Sequence, residues 1–224
     1  MNTAIFENIE SNVRSYCRSF PTVFTKAKGA VMADENGKDY IDFFAGAGAL
    51  NYGHNPDLMT QRVIEYLQEG GILHSMDMYT PAKREFLEYF QEKILSPRGL
   101  DYRIQFAGPT GTNAVEAAIK LARKYGWLKS QAEGSGKPRN VIVTLEKSFH
   151  GRTLATLRAT GQEKFHVPCF EPYPAGFRHI VAGDYAALET AFDESVCAFM
   201  LECVQGEGGV NTLEKKFVQH VAEV

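Results

Sequence analysis

Apolar residues recur along this chain with two periods, and the rhythm changes near Tyr102. Between Val31 and Phe44, two short apolar runs flank Asn36-Gly37, a pattern that predicts a tight antiparallel hairpin. Helical spacing follows over residues 57–69 and 82–95, where Phe86, Leu87, Phe90 and Ile94 share a face and Pro97 and Gly99 stop the run. From Tyr102 onward, strand-like and helical stretches alternate. Tyr102, Ile104 and Phe106 alternate with Arg103 and Gln105, predicting a strand, while Ala114, Ala118, Leu121, Ala122 and Tyr125 line one helical face. Strands are then predicted at Val141–Leu145, His179–Val181 and Val196–Val204, with a short helix after Thr153 and a helical stretch from Leu213. Such alternation predicts an α/β protein with a parallel sheet. The run from Val196 is apolar on both faces, as a central, buried strand would be. Residues 130–139, rich in Gly, Ser, Lys and Glu, read as a solvated loop.

Composition narrows the function classes. With 224 residues, 44% of them hydrophobic, the chain can bury one large core or two modest ones. A net charge of −3 without a basic run excludes a general nucleic-acid footprint. The amino end carries Glu7, Glu10, Arg14 and Arg18, and no long apolar run occurs elsewhere, which predicts a cytoplasmic protein with no membrane partner. Cys17, Cys169, Cys197 and Cys203 form no C-x-x-C pair and read as buried free thiols. The histidines lack metal-ligand spacing, so no metal is predicted.

Candidate chemistry gathers where strands hand over to helices, because ligands of open α/β sheets collect beyond the carboxyl ends of the strands. The first such junction is Gly108-Pro109-Thr110-Gly111-Thr112-Asn113. First-turn N–H groups lack intrahelical acceptors, the helix dipole is positive there, and Gly111 admits a close ligand, so the loop suits an anion. Equally, Thr112 or Asn113 caps the helix, with Glu116 in its first turn. The second junction, Ser148 to Thr153, holds Phe149, His150, Gly151 and Arg152. Phe149 is either core or a stacking platform, and Arg152 either a solvated charge or a planar fork for a carboxylate. At the third, Glu202 ends a doubly apolar strand, where a carboxylate must be paired, protonated or turned to a ligand. Glu207 sits among glycines, as a mobile gate or an exposed turn would.

In order and spacing, these motifs resemble the class III, pyridoxal-phosphate-dependent aminotransferases of fold type I. Up to about Lys124, the stretches Ser19–Asn55 and Gly108–Lys124 look most like 2,4-diaminobutyrate–2-oxoglutarate aminotransferases. From about Tyr125, Lys147–Phe165 and Leu201–Val210 look more like acetylornithine aminotransferases. The resemblance implies a partial fold type I architecture: an N-terminal segment with a small β hairpin over residues 1–55, then over 56–224 the first part of the large cofactor domain. It also implies pyridoxal 5'-phosphate as cofactor, a diamino acid (2,4-diaminobutyrate or N-acetylornithine) and 2-oxoglutarate as partners, and a homodimer. Position by position, Thr110, Gly111 and Thr112 match the loop that holds the cofactor phosphate, and Phe149 matches the aromatic residue stacked on the pyridine ring, with His150 beside it. Arg152 matches the arginine that grips a substrate carboxylate. Glu202 matches a carboxylate lining the cofactor pocket, and Glu207 one that masks a second substrate-binding arginine in ornithine enzymes. Ala47 stands where ornithine enzymes carry a substrate-contacting tyrosine, which leaves the donor open.

The family pattern continues, after the helix that follows Gly209, with a strand bearing the aspartate that pairs with the pyridine nitrogen, and later with the lysine that anchors the cofactor. Neither is matched within residues 1–224, and Lys147, beside the stacking motif, reads as a solvated loop residue. The expectation is therefore a portion, about half, of an aminotransferase that is inactive by itself. The family partner of the strand at Tyr102 is likewise unmatched, leaving an open backbone edge there. Two other readings remain: a non-catalytic module that binds a phosphate ligand, and a half-protein that docks on a full-length aminotransferase.

Overall fold

The computed structural model describes residues 3–13 and 16–224. Compactness divides the chain into one unit that ends at Asp101 and another that begins at Tyr102.

In the first unit, helices α1 (Ala4–Ile9) and α2 (Tyr16–Ser19) precede the antiparallel strands β1 (Phe24–Lys28), β2 (Val31–Asp34) and β3 (Asp39–Ile41), paired in that order. The expected hairpin joins β2 to β3, and the buried Asp34 organises its turn. The Asp34 carboxylate accepts the N–H groups of Asn36 and Lys38 at 2.9 and 3.0 Å and the Tyr40 hydroxyl at 3.2 Å. Such a side chain mimics a backbone turn and fixes the register of the strands it joins. Helices α3 (Asp57–Gln68) and α4 (Pro81–Phe90) complete the unit. The single helix expected over 82–95 ends earlier as an α-helix: a wider π turn occupies Gln91–Leu95, followed by a 3-10 turn at Ser96–Arg98. Pro97 has no N–H to give and its ring crowds the carbonyl four residues back, so regular α geometry cannot run through it. Arg98 closes the end by donating to the Ile94 carbonyl at 2.8 Å.

The second unit is doubly wound. Strand β4 (Val141–Leu145) lies between β5 (Phe177–Ile180) and β6 (Val196–Phe199), parallel to both. On one face, Val143, Leu145 and Ile180 pack with Leu188 of helix α7 (Tyr185–Ala191) and Phe217 of helix α8 (Lys215–Glu223). On the other, Ile142 and Phe177 pack with Ile119 of helix α5 (Gly111–Ala132) and Ala159 of helix α6 (Leu154–Ala159). The hairpin β7 (Val204–Gln205) and β8 (Asn211–Thr212) encloses the glycine-rich segment.

Two sequence expectations need correction. Residues 102–106 form no strand: alternation supplies the side-chain pattern, but a ladder needs a neighbouring backbone, and no described strand pairs with this segment. Among the described residues β6 has one strand neighbour and β4 is central. The apolar character of both β6 faces has another cause: Val196 and Phe199 join the cluster beneath α7 and α8, while Cys197 and Ala198 join the one beneath α5 and α6. The strand is also shorter than expected, so Glu202 lies in the connection to β7.

Candidate functional site

The amino end of α5 is built by Thr110 and Asn113. Thr110 has extended backbone (φ −127, ψ 158), and Asn113 Oδ1 reaches back to accept its N–H at 3.2 Å and its hydroxyl at 2.8 Å. The cap is thus Thr110 with Asn113 as its return contact, rather than Thr112 or Asn113 as cap. Gly111 and Thr112 stay outside that pairing, and their N–H groups open a 22-residue helix. A methyl group on Gly111 would meet nothing within 4 Å, so the backbone there is open to a ligand.

The second junction is seated directly on the first. Gly151 has φ +125, a conformation open to glycine, and a methyl group on it would stand 2.3 Å from Thr112 Oγ1 and 2.8 Å from Thr156 Oγ1. The Thr153 hydroxyl donates to the Glu116 carboxylate, a second tie between this loop and α5. Thr153 also heads α6, where its N–H donates to Thr156 Oγ1 at 2.9 Å. The Phe149 ring is half-buried and packs against Phe165, with ring centres 5.8 Å apart and planes inclined by 60°. The His150 N–H donates to Thr160 Oγ1 at 2.9 Å, and its imidazole is buried with Nε2 unpartnered by any described residue. Burial first, then neighbouring His179, pushes that imidazole down to about 4. Arg152 is exposed, with no ion-pair partner among the described residues.

The third junction meets the second through one bond: Glu202 Oε2 accepts the Phe149 N–H at 2.9 Å. Burial raises the Glu202 carboxyl above its ordinary range, the Phe149 N–H opposes that, and nearby Glu207 adds to it. Glu207 is exposed.

The structure therefore brings Thr112, Gly151, Phe149 and Glu202 into one chain of contacts at the carboxyl end of β4, with Thr110, Gly111 and His150 flanking it. The sequence did not reveal the side chains that brace it. Thr160 holds the His150 backbone, Glu116 holds Thr153, and Gln205 Nε2 donates to the Glu146 carbonyl at 2.8 Å. Glu116 carried a signal, its place near the start of α5, and Gln205 lies in the motif of the third junction, though its partner 59 residues away carried none; Thr160, acting across 10 residues, carried none. Among the described residues no cluster of three or more His, Cys, Asp or Glu is placed to hold a metal, and no helix is long and apolar enough to cross a membrane.

A family model described as aminotransferase class-III matches residues 14–224. Among curated relatives, the diaminobutyrate–2-oxoglutarate transaminase of Nocardia farcinica is 45% identical over 236 residues, covering 99% of this chain and 51% of that protein. The same-named enzyme of Halalkalibacterium halodurans is 43% identical and is covered to 52% by 98% of this chain. These matches run through both sides of Tyr125, and the chain spans about half the length of the relatives. Among solved structures, the ornithine aminotransferase of Toxoplasma gondii superposes with a TM-score of 0.79 at 27% identity, over 98% of this chain and 49% of that one. A second crystal structure of it (TM-score 0.78, 27% identity, the same coverage) is described as having partial occupancy of PLP at its active site.

Proposed function

The chain belongs to the class III aminotransferases, and on that footing we propose that it forms part of an enzyme transferring the terminal amino group of 2,4-diaminobutyrate to 2-oxoglutarate, with pyridoxal 5'-phosphate as cofactor. The observation that carries this reading is the convergence of the three junctions, through Gly151 on Thr112 and Glu202 on Phe149, at one end of the parallel sheet. The donor rests on 45% identity to a diaminobutyrate enzyme across 99% of the chain.

The residues fit such a cofactor. Open backbone at Gly111 beside the positive end of a long helix suits a phosphate, and the half-buried Phe149 ring suits a flat heteroaromatic ring. When bound, pyridoxal phosphate supplies an aldehyde that takes up the amino group and a ring that withdraws electrons from the adjacent carbon. In this reading Thr110, Gly111 and Thr112 bind the phosphate; Phe149 orients the ring; His150 backs that loop from the interior. Glu202, with its raised pKa and with Oε2 accepting the Phe149 N–H, holds a proton at Oε1 more readily than an exposed glutamate does. Arg152 presents its free fork to a substrate carboxylate, and Glu207 guards a second carboxylate site. The assembled enzyme is proposed to be a cytoplasmic homodimer. No lysine within residues 1–224 matches the family's anchoring position, so this polypeptide by itself is expected to perform no transamination.

The test is equilibrium binding of pyridoxal 5'-phosphate to the 224-residue chain, followed by absorbance. Saturable binding, competed by inorganic phosphate and at least tenfold weaker for pyridoxal, supports the reading. No binding, or equal binding of pyridoxal, overturns it. Glutamate formation from 2,4-diaminobutyrate and 2-oxoglutarate by this chain alone would overturn the inactivity.

A further inference from the structure

The turn that carries Phe149 is strained and held from outside. Lys147 has φ +62, a left-handed conformation that costs a non-glycine residue of order 1–3 kcal/mol and persists where surroundings over-determine it. Part of that constraint comes from Gly161, whose carbonyl accepts the Lys147 N–H at 2.7 Å. Gly161 and Gln162 also donate to Ser148, and the Ile180 carbonyl accepts the Glu146 N–H. A separate set of contacts comes from residues 202–208. Gln205, 2% exposed, donates from Nε2 to the carbonyl of Glu146 at 2.8 Å. The Gly208 backbone lies so close that a methyl group on it would stand 2.4 Å from the Lys147 carbonyl oxygen. Glu202 Oε2 accepts the N–H of Phe149 at 2.9 Å. Three positions of one segment thus engage the first, second and fourth residues of the turn.

We propose that Glu202 and Gln205 are positioning residues that clamp the Glu146–Phe149 turn and so set the plane of the Phe149 ring. The proposal concerns how the platform is held; that the platform stacks on a cofactor rests on the reading above. It separates two roles for Glu202. One carboxyl oxygen is occupied by the Phe149 backbone, which leaves the other for the pocket. The backbone contact requires an acceptor, not a charge. A glutamine at 202 preserves it through its amide oxygen, and alanine abolishes it. The clamp also explains why a buried polar side chain at 205 is tolerated, since its amide is used on a carbonyl that leaves the sheet.

The experiment is amide hydrogen exchange, resolved to Lys147 and Phe149, in the 224-residue chain and its Glu202→Ala, Glu202→Gln and Gln205→Ala variants, with Val143 as an internal standard of global stability. Glu202→Ala is expected to speed exchange at Phe149 at least tenfold relative to Val143, and Glu202→Gln to restore protection. Gln205→Ala is expected to speed exchange at Lys147 and Phe149 together. Unchanged exchange at Phe149 in Glu202→Ala overturns the clamp, as does a Glu202→Gln variant as unprotected as the alanine. If Glu202→Ala does not fold, Gln205→Ala decides by the same criterion. In parallel, pyridoxal phosphate affinity distinguishes the two readings. Binding by the parent chain that weakens at least tenfold in Glu202→Ala and recovers in Glu202→Gln supports the clamp. Binding that is equal in Glu202→Ala overturns it and leaves the cofactor reading intact. No binding by the parent overturns the cofactor reading, while exchange still decides the clamp.

Discussion

Gly151 lies so close to Thr112 that a single added methyl group would come within 2.3 Å of the threonine hydroxyl. This contact seats the loop after β4 on the amino end of α5, joining two segments that the sequence presents about 40 residues apart. Gly151→Ala must both push Thr112 and Thr156 aside and adopt φ +125 with a side chain. Overpacking of a fitted site costs about 1–3 kcal/mol, and the backbone strain adds a comparable amount. Urea unfolding of Gly151→Ala is expected to show a loss of at least ~1 kcal/mol. Adding Thr112→Ala should recover part of it; no loss in the single variant would contradict the contact.

Acid should weaken the second unit through His150. Its folded-state pKa is lowered to about 4 by burial and His179, against 6.5 for the unfolded residue. The unfolded chain therefore binds the extra proton first, and stability, complete above pH 6.5, falls as pH drops from 6.5 toward 4. His179 is shifted in the same direction, again chiefly by burial, and steepens the decline. The Glu202 shift has the opposite sign: its raised carboxyl favours the folded state as it protonates in acid. For His150 alone the loss amounts to about 3 kcal/mol across the window. Urea midpoints at pH 7.5 and 5 measure the slope, and His150→Gln should flatten it. A slope that persists unchanged would show that His150 does not titrate in this way.

Much of this architecture was legible because local chemistry and long-range packing agree. Val141–Leu145, the Asn36-Gly37 hairpin and the helix after Thr153 formed where expected, the hairpin with Asp34 in its turn and the helix with Thr153 at its head. Legibility failed where a pattern had more than one physical cause. Alternation at Tyr102–Phe106 required a pairing neighbour, and the two apolar faces of β6 arise from helices on both sides rather than from a central position. In the candidate site, motif position singled out Thr112, Phe149 and Glu202, which the structure ties together through Gly151 and the Phe149 N–H, whereas the partners that brace them act through tertiary contact. No spacing rule links Gln205 to Glu146 or Thr160 to His150.

Leu145 ends the central strand immediately before the turn that carries Phe149, and it is fully buried in the cluster formed with Phe217, Leu188 and Ile180. Leu145→Ala removes buried methyl groups and leaves a cavity, a change that costs about 2–5 kcal/mol in well-packed cores. Chemical denaturation should register that loss, with faster amide exchange in β4 and in the turn after it. A loss below ~1 kcal/mol would mean the cluster collapses around the gap.

The amino end of α5 offers capping and anion binding together, and two substitutions separate them. Asn113 Oδ1 holds both the N–H and the hydroxyl of Thr110, so Asn113→Ala removes a cap and is expected to cost ~1 kcal/mol of stability. Thr112 takes no part in that cap. Its hydroxyl faces Gly151, and its N–H is one of the orphan donors of the first turn. Thr112→Ala is therefore expected to lower affinity for pyridoxal phosphate and inorganic phosphate several-fold while leaving the urea midpoint close to the parent's. Thr112→Ser, which keeps the hydroxyl, should bind like the parent. If Thr112→Ala lowers stability as much as Asn113→Ala and leaves phosphate affinity untouched, the loop is a helix cap and nothing more.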